Sequence, residues 1–194
     1  EISGIVHDHD LPLHMDGARF ANALVHLDLT PAEMTWKAGV DVLSFGGTKN
    51  GCWCAEAIIF FRPELAKQMP FIRKRAAQLF SKTRFIAAQF HAYLDDDLWL
   101  GLARHANKMA SRLAAGIEKS SAAELAWQNE TNEVFVVMEK SRAESLQAAG
   151  ARFYPWPTPN DSTTDPPEGH AMYRFVTSFC TDPAEIDQFL GLLG

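Results

Sequence analysis

Val40-Asp41-Val42-Leu43-Ser44-Phe45-Gly46-Gly47-Thr48-Lys49-Asn50-Gly51 decides how this chain is read. An apolar run of strand character gives way to a glycine-rich loop that carries one lysine. Upstream, a second run, Leu11-Pro12-Leu13-His14-Met15, ends in Asp16-Gly17-Ala18-Arg19. Each polar cluster falls where a strand should end, and open α/β sheets bind ligands outside the carboxyl ends of their strands. Gly46, Gly47 and Gly51 suit a close backbone approach to a ligand, or a simple hairpin turn.

The segment between the two runs supports a crossover. Residues 18–27 are apolar enough for a helix or compact turn. Thr30-Pro31-Ala32-Glu33 has the form of a capping box with proline at the first helical position. That helix should stop near Gly39, and residues 40–45 should follow as a strand. Strand, helix and strand at this length make a parallel unit. A further strand, 55–61, should return from the lysine loop as an antiparallel or edge neighbour.

Beyond it the pattern turns helical. Pro63 to Gln68 and Arg73-Lys74-Arg75 lead into a helix continued by Phe85, Gln89, Ala92 and Tyr93. Asp95-Asp96-Asp97 interrupts it. Leu98, Leu102, Ala106, Met109, Ala110, Leu113 and Ile117 then step by three and four residues along one apolar face of a long helix, which reads as core. After Ser120 the expected elements are a strand at 134–138, a helix at 141–149 stopped by Gly150, and a strand at 151–156. A proline-marked loop with Pro155, Pro157, Pro159, Pro166 and Pro167 cannot carry regular ladder bonds. A last strand at 173–179 precedes a helix opened by Asp182-Pro183-Ala184-Glu185. The closing portion reads as a small antiparallel α+β unit.

Composition narrows the classes. The 194 residues are 47% hydrophobic and 22% charged, as in an ordinary soluble globular protein of one or two domains. A net charge of -6 speaks against a nucleic-acid partner. No apolar run has the length of a membrane span. Cys52, Cys54 and Cys180 do not form a disulfide framework or a metal cage, since Cys52-Trp53-Cys54 has only one intervening residue. Reduced thiols and a cytoplasmic location follow. His7-Asp8-His9-Asp10 reads as a solvated loop and no metal site is expected, because neighbouring strand residues alternate faces. His91 and His105 read as structural, and His14 as shaping the region of Asp16 without a catalytic step. Glu1-Ile2-Ser3-Gly4 reads as a cut made inside a longer protein.

Taken alone, Asp16 should be partly buried with a cationic or donor partner, and could pair with Arg19 or cap a turn. Lys49 could be a solvated loop lysine, and Arg174 an arginine exposed on one strand face. Together, a carboxylate and an amine at neighbouring strand ends are the two groups that pyridoxal phosphate chemistry requires. The amine forms a Schiff base with the cofactor aldehyde, and the acid keeps the pyridine nitrogen protonated.

The order His14-Met15-Asp16-Gly17-Ala18-Arg19, then Asp41 through Gly51, resembles the threonine aldolase family, close to its low-specificity L-threonine and L-phenylserine members. The resemblance runs over the whole chain, including Lys82-Thr83-Arg84 and Tyr173-Arg174-Phe175-Val176-Thr177-Ser178. Thr-Lys-Asn departs from the Ser-Lys-Gly of many relatives, and Cys52-Trp53-Cys54 replaces small apolar residues. The resemblance implies an α/β fold. Residues 1–90 would be the C-terminal part of a fold-type-I pyridoxal-phosphate large domain, and residues 91–194 a small α+β domain. It implies Lys49 as the cofactor-binding lysine and Asp16 as the pyridine partner. Arg19 would bind cofactor or substrate carboxylate, and Arg174 would fork onto that carboxylate. Arg84 would lie near the cofactor phosphate or the entrance. The implied reaction is carbon–carbon lyase cleavage of L-threonine or a related β-hydroxy-α-amino acid to glycine and an aldehyde. The implied assembly is a homo-oligomer, dimer or tetramer, with an N-terminal half needed to complete the site. The rivals are a β-eliminating lyase or aminotransferase on the same residues, and a non-catalytic subunit that keeps the fold.

Overall fold

The computed structural model describes residues 1–159 and 165–194, and its chain forms two compact units, Glu1–Leu102 and Ala103–Gly194. The first is built on a three-stranded sheet in the order β1 (His14–Gly17), β2 (Val42–Gly46), β3 (Glu56–Phe60). β1 and β2 are parallel, with Asp16 opposite Ser44, and β2 and β3 are antiparallel, with Gly46 opposite Glu56. The parallel crossover and the antiparallel return both match the sequence reading. β1 starts three residues later than expected and takes Asp16 into the strand itself.

Helix α2 (Phe20–Leu27) and the short α3 (Pro31–Met34) make the crossover. The Thr30 and Glu33 capping box is formed in full. The single helix expected to reach Gly39 is instead broken at Thr35. The Thr35 hydroxyl is buried and donates to the Pro31 carbonyl at 2.5 Å. Such back-bonding competes with the helix ladder, and the chain continues as one 3-10 turn over Trp36–Ala38.

A helix not expected from the sequence, α1 (Ile2–Asp8), precedes β1. His7, read above as part of a solvated loop, lies in its last turn, with Nε2 2.8 Å from Asp41 Oδ2. Asp41 sits where all three strands meet at the end opposite Lys49. Its carboxylate also accepts from the Leu13 N–H at 2.7 Å and has Arg62 at 3.7 Å. Burial pushes the Asp41 carboxyl up, but the Leu13 amide, His7 and Arg62 together outweigh it and hold it below the usual aspartate range. A depressed carboxylate contributes stability above its unfolded pKa and loses it as pH falls through the lower folded value. Asp41→Ala should therefore cost about 2 kcal/mol at neutral pH, chiefly by stripping the Leu13 N–H of its acceptor. Urea unfolding checks this: the gap between wild type and variant should narrow as pH falls through the acid range in which the folded Asp41 carboxyl takes up its proton.

Phe20, Phe45, Phe90, Tyr93 and Trp99 pack as rings around β2's end, with Phe45 5.8–6.2 Å from Phe90, Phe20, Trp99 and Tyr93. Phe90 and Tyr93 come from α5 (Thr83–Leu94), which follows α4 (Met69–Arg75). Trp99 opens α6 (Leu98–Ile117), the long helix expected from the three- and four-residue pattern. Its buried face starts from Trp99 and Ala103 rather than Leu98, which is 48% exposed.

The second unit carries an antiparallel sheet in the order β4 (Ala123–Leu125), β5 (Glu133–Glu139), β7 (His170–Val176), β6 (Tyr154–Pro155). α7 (Lys140–Ala148) and α8 (Pro183–Leu193) pack their buried Ala143, Leu146, Ile186 and Leu193 with Val134, Val136, Phe153 and Phe175. β4 escaped the sequence reading because Ala123-Glu124-Leu125 has little strand propensity. The strand expected at 151–156 shrinks to two residues. Pro155 cannot donate to a ladder, and β6 is accordingly an edge strand. β7 starts and ends three residues before the expected 173–179. Past Val176 the Thr177 N–H still donates to the Asn132 carbonyl at 3.0 Å, but the Thr177 carbonyl accepts from the Asn132 side-chain amide at 2.7 Å in place of a backbone rung. The expected proline loop includes residues 160–164, which lie outside the described residues. The capping box at Asp182 and Glu185 is formed. Among the described residues no helix is long and apolar enough to cross a membrane.

Candidate active site

The parallel pairing of β1 and β2 puts their carboxyl ends side by side, and the polar clusters follow from there. Asp16 and His14 share one face of β1, as residues two apart in a strand must. His14 Nε2 lies 2.8 Å from Ser44 Oγ on the neighbouring strand. Asp16 is exposed rather than partly buried, and its Oδ1 accepts from the Ala18 N–H at 3.0 Å. It thus caps the turn into α2, and the strand end leaves it open to solvent. Arg19 is the half-buried residue that starts α2.

β2 ends at Gly46, where a Cβ would come 3.1 Å from the Ala18 Cα and 3.0 Å from Glu56 Oε2. A side chain at this position would press on the neighbouring strand end, so glycine suits the close approach. Thr48–Asn50 then form one 3-10 turn, with Lys49 at its centre and exposed. Glu56 Oε1 accepts from the Thr48 N–H at 3.2 Å. Asn50 is buried, and its carboxamide donates to Tyr93 Oη at 2.7 Å and to the Trp99 carbonyl at 2.9 Å. On the far side of the loop, Gln89 Oε1 accepts from the Trp53 and Cys54 amides at 2.9 and 3.1 Å.

Burial, reinforced by Glu56 and Cys54, pushes the Cys52 thiol up, so it is a poor nucleophile at neutral pH. Burial also pushes the Tyr93 hydroxyl up to about 12. Arg84 is exposed in the first turn of α5, the helix whose later turns supply Gln89 and Tyr93.

Asp16, Arg19, Lys49 and Arg84 thus all belong to the first unit, and the sheet brings Asp16 and the lysine loop to one edge. Arg174 belongs to the second. It is half-buried, not exposed on a strand face. Its guanidinium donates to Glu133 Oε1 at 3.0 Å and stacks 4.1 Å from the Trp156 ring centre. Arg174 Nε is buried without a hydrogen-bond partner, which leaves a donor to satisfy. Sequence reasoning passed over Asn50, Gln89, Glu133 and Trp156. Asn50 in a Lys-Asn-Gly run looks like a turn former, and no local pattern signals its burial.

The profile of the beta-eliminating lyase family matches residues 1–141, more than half of the chain. The chain belongs to the beta-eliminating lyase family. Among relatives of this beta-eliminating lyase family member, the low specificity L-threonine aldolase of Pseudomonas aeruginosa is 45% identical over 181 residues, covering 93% of this chain and 49% of that protein. A protein of the same name from another Pseudomonas is 42% identical over 185 residues, covering 95% and 50%. The chain therefore spans about half the length of the curated relatives it matches. The solved structure of Leishmania major threonine aldolase superposes with a TM-score of 0.86 at 30% identity, over 99% of this chain and 54% of that one. The α/β, fold-type-I reading and the resemblance to threonine aldolases agree with these matches.

Proposed function

We propose that the full-length protein is a pyridoxal-phosphate-dependent aldolase that cleaves L-threonine, or a related β-hydroxy-α-amino acid, to glycine and an aldehyde. The observation that carries this reading is an exposed carboxylate and an exposed amine at the carboxyl ends of two adjacent parallel strands, Asp16 within the last residues of β1 and Lys49 just beyond β2. That donor set fits the cofactor: an amine for its aldehyde and an acid for its ring nitrogen. When bound, pyridoxal phosphate supplies an electron sink conjugated to the substrate's α-carbon.

The chain's own residues would do the rest. Lys49 Nζ would hold the cofactor through its aldehyde, and the same amine could carry a proton at the site. Asp16 keeps the proton on the pyridine nitrogen. Arg174 forks onto the substrate carboxylate, with its orientation held by Trp156 and Glu133. Arg19 assists at the carboxylate or the cofactor, and Arg84 lies toward the phosphate or the entrance. Residues 1–90 complete the large, cofactor-binding domain and 91–194 form the small one. The enzyme acts in the cytoplasm as a homo-oligomer, dimer or tetramer, and an N-terminal half completes the site.

The test is product analysis with threonine and pyridoxal phosphate. Glycine and acetaldehyde support the aldolase. Ammonia with 2-oxobutanoate would mean β-elimination, and transfer of the amino group to a 2-oxo acid would mean an aminotransferase.

Arg174→Lys separates carboxylate recognition from cofactor binding. The variant keeps the charge and loses the planar fork. A desolvated pair of this kind is worth on the order of 2 kcal/mol, so the apparent KM should rise at least about tenfold. The cofactor absorbance should not change. Normal substrate binding with release of cofactor would instead place Arg174 in cofactor binding or in the fold.

A further inference from the structure

A three-residue turn cannot hold itself in one orientation, yet Lys49 sits at the centre of one. A 3-10 turn has about three residues per revolution, so neighbouring side chains leave it roughly 120° apart. Whatever fixes the direction of Asn50 therefore fixes the direction in which Lys49 departs. Inside the loop, the Asn50 and Cys52 amides both donate to the Gly47 carbonyl at 3.1 Å, which closes the turn without orienting it.

The orientation comes from outside. Asn50 is only 3% exposed, and its two side-chain bonds reach 43 and 49 residues along the chain, to Tyr93 and Trp99. Hydrogen bonds are directional where apolar packing is not, so two from one carboxamide define a rotation. Had burial been the sole requirement, an apolar side chain would meet it without two polar partners to align. Tyr93 keeps its proton throughout the working range and remains a neutral acceptor. Immediately afterwards Gly51 turns at φ +118, a left-handed conformation that favours glycine.

We propose that Asn50 is a positioning residue for Lys49: its buried carboxamide, anchored on Tyr93 Oη and the Trp99 carbonyl, sets the angle at which the lysine leaves the loop. This rests on the role given to Lys49 under the proposed function.

The experiment uses the full-length protein loaded with pyridoxal phosphate, as wild type, Asn50→Leu and Tyr93→Phe. Three quantities are read: the rate of borohydride fixation at Lys49 by peptide mapping, the pH midpoint of the cofactor absorbance, and kcat against KM. For Asn50→Leu, fixation should slow about tenfold or more and kcat should fall by a similar factor, with KM nearly unchanged, as expected for a misplaced reacting group. The pH midpoint should move by about half a unit or more. Tyr93→Phe, which leaves the Trp99 acceptor, should move all three the same way by less. A folded Asn50→Leu with wild-type fixation rate and midpoint overturns the inference. If Asn50→Leu does not fold, Tyr93→Phe decides, and wild-type values there overturn it equally. Fixation on a different lysine in wild type would remove the functional reading itself, a failure visible before any variant is made.

Discussion

Borohydride reduction of the cofactor-loaded, full-length protein is expected to fix the label on Lys49, and Lys49→Ala is expected to abolish both the label and turnover. Loss of a covalent-catalysis lysine should lower cleavage at least about a thousandfold. The argument is positional. Lys49 follows the carboxyl end of β2, whereas Lys37 lies in the 3-10 turn before that strand begins, toward the opposite end of the sheet. Lys82 precedes the first turn of α5 and is attached to no strand end. A label on Lys37 or Lys82 with Lys49 unmodified would reject the assignment.

Asp16→Asn should leave the cofactor bound and cut turnover roughly a hundredfold or more, about 3 kcal/mol. A neutral amide cannot hold the ring nitrogen protonated, so electron withdrawal from the substrate's α-carbon weakens. The structure makes this a clean substitution. Asp16 Oδ1 needs only to accept the Ala18 N–H, which an asparagine oxygen can do equally well, so the turn into α2 should survive. The measurements are steady-state cleavage of threonine and cofactor retention on a desalting column. Near-normal cleavage in the variant would contradict the role given to Asp16.

Much of both units could be read from the sequence where the signals are local. The capping boxes at Thr30 and Asp182 formed as written, since each needs only residues within one helical turn. The strand ends carrying Asp16 and Lys49 were legible because apolar runs stop abruptly there. The misses involve partners far along the chain. Thr35 is the local exception, its hydroxyl bonding a carbonyl one helical turn back, whereas β7 ends where the Asn132 side chain, 45 residues away, takes the Thr177 carbonyl. The exposure of Asp16 depends on which neighbours cover β1, and no spacing rule supplies that. His7 looked like a loop histidine until Asp41, 34 residues away, became its partner. Asn50 and Trp156 belong to the same class: their surroundings are assembled by tertiary contacts.

The parallel ladder between β1 and β2 has a consequence for how this region can vary. Asp16 lies opposite Ser44, so the separation of the two chemical groups is governed by a rung of the sheet, about 4.8 Å between strands. It does not depend on the contour length of the connection. That connection passes through an exposed stretch at residues 26–30, where Asp28 adopts a left-handed conformation at φ 52 and takes no part in either strand. Each doubling of a flexible connection adds only about 0.6 kcal/mol of closure entropy. The crossover between α2 and α3 is thus a natural port for insertion. Foreign sequence spliced after Asp28 should lengthen the path between the two groups without altering their spacing.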